Sequence, residues 1–123
     1  MTTQLNLGET DEGIATIAIA ANLAVKWDTT AGQIVVCGIG DIPIGYTQDA
    51  IAAGVVGTFY RAGRGNRVNV TTTSTPSAGD YLKCGAAGVL VPEATASTPT
   101  LFTVAQASAA ADTNGNLLAT TTR

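Results

Sequence analysis

A chain of 123 residues has room for one domain and one core. With no histidine it lacks the usual general base near neutral pH and the commonest metal ligand, so Ser-His-Asp, Cys-His and histidine-zinc chemistry are excluded. A net charge of −3 from six basic and nine acidic residues disfavours nucleic acid as a partner, and the low charged share of 12% means either a surface covered by Thr, Ser, Asn and Gly or, the preferred reading, one largely hidden in an assembly.

Residues 1–13 mix Thr, Gln, Asn and acidic side chains, with Leu5 and Leu7 in alternation. They read as an arm that gains order by adding a strand to a partner. The segment is acidic where a signal peptide is basic and then apolar, and the longest uncharged apolar run, 13–25, is too short to span a bilayer. A soluble chain from a reducing compartment, with no membrane partner, is expected. Residues 14–123 form the body. Ile14, Ile17 and Ile19 open it, 23–27 is a strand, 28–32 a turn, 33–37 a buried strand and 38–41 a second turn.

Pro43 stands at the start of a strand over 42–48, and 49–54 is a loop into a strand at 55–60. Residues 62–66, with Gly63 and Gly65, make a flexible tip; Val68 and Val70 then alternate with polar residues in a half-buried strand. A Thr, Ser and Pro connection follows at 72–79. Further strands are expected at 81–84, 89–91, 100–105 and 117–121, with Asn114-Gly115 as a hairpin signal and 107–111 able to add one short helix. Nine or ten short strands with little helix make the fold all-β, a small barrel or sandwich.

The two halves echo each other. Ala21, Val25 and Lys26 recur as Ala78, Leu82 and Lys83, Ala31-Gly32 recurs as Ala87-Gly88, and Gln48 with Ala50 recurs as Gln106 with Ser108. A duplicated strand-turn-strand unit is a scaffold, because its copies can pack apolar faces on each other without any site chemistry. Cys37 and Cys84 lie in similar strand regions of the copies, Cys84 where the first copy has Trp27. One cysteine pair without a secretory signal reads as buried free thiols before a disulfide, and pairing stays open.

Motifs for cofactors and catalysis are missing from the sequence. Gly38-Ile39-Gly40 has Pro43 where a dinucleotide fingerprint needs its third glycine, and no Gly-x4-Gly-Lys-Ser/Thr run exists. Two distant cysteines make no thiolate zinc site, and the acidic group Glu9, Asp11 and Glu12 lacks the spacing and glycine of a calcium loop. Asn69-Val70-Thr71 matches a glycosylation acceptor but reads as an exposed strand face. Lys26 and Lys83 end apolar strands and so lack the exposed hairpin setting of a lipoyl or biotinyl carrier. Arg61, Arg64 and Arg67 hold half of the basic residues within seven positions. They form either a solvated tip or a cationic contact with carboxylates of a protein partner, for which the planar guanidinium is suited.

With its paired Ala-rich turns, Pro43-Ile44-Gly45 opening a strand, Ala52-Ala53-Gly54 before Val55-Val56, and Ser77-Ala78-Gly79-Asp80 before Tyr81-Leu82, the chain resembles the tailed-bacteriophage capsid decoration, or head cement, proteins over residues 14–91. The resemblance implies a small β-barrel or tulip-like domain that trimerises and binds the major capsid protein on the outer surface of an expanded head. It implies no enzyme activity and no cofactor. The function is then mechanical, a clamp that holds the shell against packaged DNA, with Leu5, Leu7, Arg61, Arg64 and Arg67 as its tentative contacts. Another structural or adhesive β-module is the alternative, and a small ligand-carrier barrel a weaker one.

Overall fold

A computed structural model describes residues 10–63 and 65–123. Among them are ten strands: β1 (Thr10–Ala15), β2 (Ala24–Trp27), β3 (Gln33–Val36), β4 (Gly45–Thr47), β5 (Val56–Arg61), β6 (Arg67–Thr71), β7 (Tyr81–Cys84), β8 (Leu90–Pro92), β9 (Thr103–Ala107) and β10 (Asn116–Thr121). The helical content of these residues is a single 3-10 turn, Ala86–Gly88. The all-β expectation holds.

The first five strands close on themselves in the order β1-β3-β2-β4-β5, β5 pairing back onto β1 from Thr10↔Tyr60 to Ile14↔Val56. The second five follow the order β6-β10-β9-β7-β8. Read from β8, this is β8-β7-β9-β10-β6, the same path that β3-β2-β4-β5-β1 takes in the first half. The parallel β1–β3 pairing that closes the first ring has its counterpart in one parallel bridge, Thr72↔Leu90. The duplication seen in sequence is therefore a duplication of topology. Its hydrogen bonds repeat as well: Asn22 N donates to Thr47 O at 2.8 Å and Gly79 N to Ala107 O at 2.7 Å, while Thr47 N reaches Leu23 O at 2.9 Å and Ala107 N reaches Asp80 O at 2.8 Å.

Packing explains the pairing of the halves. Ala15, Ile19, Val25, Ile34, Ile51 and Phe59 fill the first ring. A second core gathers Val68, Val70, Leu82, Leu90, Val104 and Leu117 with Ala24, Cys37 and Tyr46 of the first half. Because side chains alternate along a strand, Val25 enters its own ring while Ala24 turns to the other half. Ile51 fits inside the narrow ring because Gly57 has no side chain. A Cβ built there would collide with Cγ1 and Cδ1 of Ile51, and would lie 2.7 Å from its Cγ2.

Several local expectations change. Residues 10–13, assigned to the arm, belong to β1, where pairing with β5 outweighs their polar composition. The strand over 42–48 shortens to Gly45–Thr47, and the strand expected at 100–105 runs over Thr103–Ala107. Residues 107–111 form no helix. Ala107 pairs with Ala119, and Ser108 N donates to Leu118 O at 2.8 Å, so the ladder takes the start of the alanine run.

Candidate functional site

Leu5, Leu7 and Arg64 lie outside the described residues. Arg61 ends β5 opposite Gly45, and Arg67 starts β6 opposite Thr120, both exposed. The connection between them is held rather than loose. Asn66 Nδ2 donates to Arg61 O at 3.1 Å, Asn66 N to Gly63 O at 3.0 Å, Gly65 N to Thr121 O at 2.9 Å and Thr121 N to Asn66 O at 2.8 Å, while the Thr121 hydroxyl donates to Gly63 O. Gly63, Gly65 and Asn66, expected in a flexible tip, are thus hydrogen-bonded to the ends of β5 and β10.

Beside Arg61 is a groove of about 260 Å³ lined by Asp11, Trp27, Ile44, Phe59, Arg61 and Ala62. Trp27 stands edge-on to Phe59, ring centroids 5.9 Å apart, and is 45% exposed. Its counterpart Cys84 is fully buried, so the duplicated position faces solvent in one half and the core in the other. Residue 10 pairs with Tyr60 on the neighbouring strand.

A second surface was not singled out from sequence. The loops after β3 and after β8, equivalent in the duplication, carry Ile39 at 81% exposure, Leu101 at 80% and Phe102 at 54%, with Ile42 partly exposed. The loops meet, since a Cβ on Gly40 would touch the Phe102 ring at 4.0 Å. Two side-chain carboxylates hold both loops in place. Asp41 Oδ2 accepts from Gly38 N and from Lys26 Nζ, each at 2.7 Å. Buried Glu93 accepts from the hydroxyls of Thr100 at 2.8 Å and Thr103 at 2.6 Å through one carboxylate oxygen. The Lys26 hydrogen bond and charge draw the Asp41 carboxyl below its ordinary range, and the same bond raises Lys26. Large apolar side chains on anchored loops form a surface fit for protein contact. Their chain spacing gave no signal, because Leu101-Phe102 beside Thr103-Val104 reads as strand.

No group of three or more metal-ligating Cys, Asp or Glu side chains occurs among the described residues, and no helix among them is long and apolar enough to cross a membrane. The sequence matches no known family model and no curated protein. The fold does have a counterpart: the crystal structure of the head fiber gp8.5 N base in bacteriophage phi29 superposes with a TM-score of 0.75 at 15% identity, covering 93% of each chain. This chain shares the fold of that phage head fibre base.

Proposed function

We propose that the chain is a structural protein of a phage virion, a decoration or cement protein that binds the outside of the expanded head as a trimer and stabilises it. The observation that carries the reading is the near-complete superposition on a head fibre base. Residue-level support comes from low charge, the exposed Ile39, Leu101 and Phe102 cluster, and the absence of a catalytic constellation among the described residues. A protein that binds an expanded shell and not its unexpanded form stabilises the former by the free energy of its contacts. In this reading Leu5 and Leu7, carried by the arm, and Arg61, Arg64 and Arg67, carried by the link between halves, meet the major capsid protein. The apolar loop cluster packs against a neighbouring copy in the trimer.

The test is co-sedimentation with assembled heads, with light scattering of the free protein. Binding to expanded heads, delayed thermal release of DNA and a mass near three chains support the reading. Heads whose DNA release is unchanged by saturating protein reject it. The same superposition favours a second reading, a base that anchors an external fibre. Electron microscopy of decorated heads separates the two, compact caps supporting cement and long projections supporting an anchor.

A further inference from the structure

The two cysteines, 47 positions apart in sequence, meet at the junction of the halves. Cys37 follows β3 and Cys84 ends β7; both thiols are free and both residues are 0% exposed. Their backbones are cross-bonded. Gly88 N, in the turn after Cys84, donates to Cys37 O at 2.8 Å, and Gly40 N, in the turn after Cys37, donates to Cys84 O at 3.1 Å. The neighbouring Cys84 side chain and burial together push the Cys37 thiol up. The Tyr46 hydroxyl is buried in the same cluster with no hydrogen-bond partner among the described residues.

We propose that Cys37 and Cys84 are a latent disulfide, a modification site at which oxidation staples the two halves. The oxidant is a low-molecular-weight disulfide. A Cys thiolate attacks one of its sulfurs, forming a mixed disulfide and releasing one thiol; the second Cys then attacks the protein-bound sulfur and releases the other. Two protein thiols are oxidised, one disulfide is reduced to two thiols, and the two protons end on those thiols. Burial shields both side chains from the oxidant in the closed protein, so the exchange proceeds through local opening of the junction and is slow. Because the bond would close a loop of this length, it restricts the unfolded chain strongly. The use of such a bond rests on the virion reading, in which the chain passes from a host interior that keeps thiols reduced to an oxidising exterior. The chemistry itself does not depend on it.

The experiment uses the full chain without heads, so its failure leaves the capsid reading standing. Native protein and protein refolding from denaturant are brought to equilibrium in an equimolar buffer of reduced and oxidised glutathione, then alkylated under denaturing conditions. Cleavage after Lys and Arg places Cys37 in peptide 27–61 and Cys84 in peptide 84–123. From both directions we expect those peptides joined, an intact mass lower by about 2 Da, and a thermal midpoint higher on the order of 10 °C. Single variants C37S and C84S should show no rise. A dithiol that persists from both directions, a glutathione adduct without the cross-link, an unchanged or lowered midpoint, or a rise that survives in C84S overturns the proposal.

Discussion

Gly57→Ala gives a test whose sign depends on which of two effects wins. At an unstrained position, exchanging glycine for alanine restricts the unfolded chain and stabilises by about 0.4–1 kcal/mol. In this ring the new Cβ meets three carbon atoms of Ile51, a side chain shut inside the first core. Overpacking of a closed site costs about 1–3 kcal/mol; three simultaneous clashes in a narrow ring put the cost near the upper end, and the unfolded-state gain brings the net loss to about 2 kcal/mol. With about 2.1 cal/mol/K of unfolding entropy per residue over 123 residues, that lowers the thermal midpoint by about 8 °C. Ile51→Ala alone removes buried methyl groups and costs about 2–5 kcal/mol. In the double variant the new methyl occupies part of the space just vacated, so the loss should fall short of the sum by about 1–2 kcal/mol. Urea unfolding followed by the fluorescence of Trp27, the chain's single tryptophan, reports the first ring directly. A stabilised or unchanged G57A, or a double variant that is additive within about 0.5 kcal/mol, refutes the account of how the ring is filled.

Removing residues 1–9 should leave a folded body that binds heads weakly, whereas removal through residue 13 takes most of β1 from β5 and should also lower the thermal midpoint; equal midpoints for the two truncations refute the assignment of β1. Asp41→Asn should cost below about 1 kcal/mol at neutral pH, since the ion pair with Lys26 is partly exposed. Asp41 titrates lower when folded than unfolded, so its contribution is present above the unfolded carboxylate range and disappears as pH falls through the folded value. Urea titrations should therefore show a shallower acid-side loss of stability in D41N than in the parent, and parallel curves count against the pair. Leu101→Ser with Phe102→Ser should leave the unfolding midpoint within about 0.5 kcal/mol, because both side chains are exposed, while reducing the mass seen by light scattering. An unchanged trimer mass, or a monomeric parent, removes this cluster from self-association.

The repeat in the sequence carried much of the architecture. β2 and β7, at 24 and 81, and β3 and β8, at 33 and 90, keep one offset of 57 positions. Errors arose where side-chain hydrogen bonds decide the backbone. Residues 100–102 have strand-like composition, yet Thr100 N donates to the Thr103 hydroxyl at 2.8 Å and Glu93 gathers both threonines, making a turn that leaves Leu101 outside. No local pattern encodes a partner seven or ten positions away. Trp27 holds the repeat position of buried Cys84, yet it lines the open groove beside Phe59 and is half exposed, a difference the repeat itself does not carry. The nearness of Cys37 to Cys84 and the apolar loop cluster are products of the junction between the halves.

The pairing of β1 with β5 also sets an order of events during folding. The first ring joins residue 10 to residue 60, so it closes only once the chain has been made through residue 60, at the loop-closure cost of a contact fifty positions apart. Ribosomal synthesis delivers that half first, before β6 exists. A chain stopped at the link can form every ladder of the first ring and still bare the face carrying Ala24, Cys37 and Tyr46, which the later strands cover. Such an intermediate is sticky in proportion to how long it waits. Slow elongation just beyond the link should therefore raise aggregation, while the same pause after β10 should not.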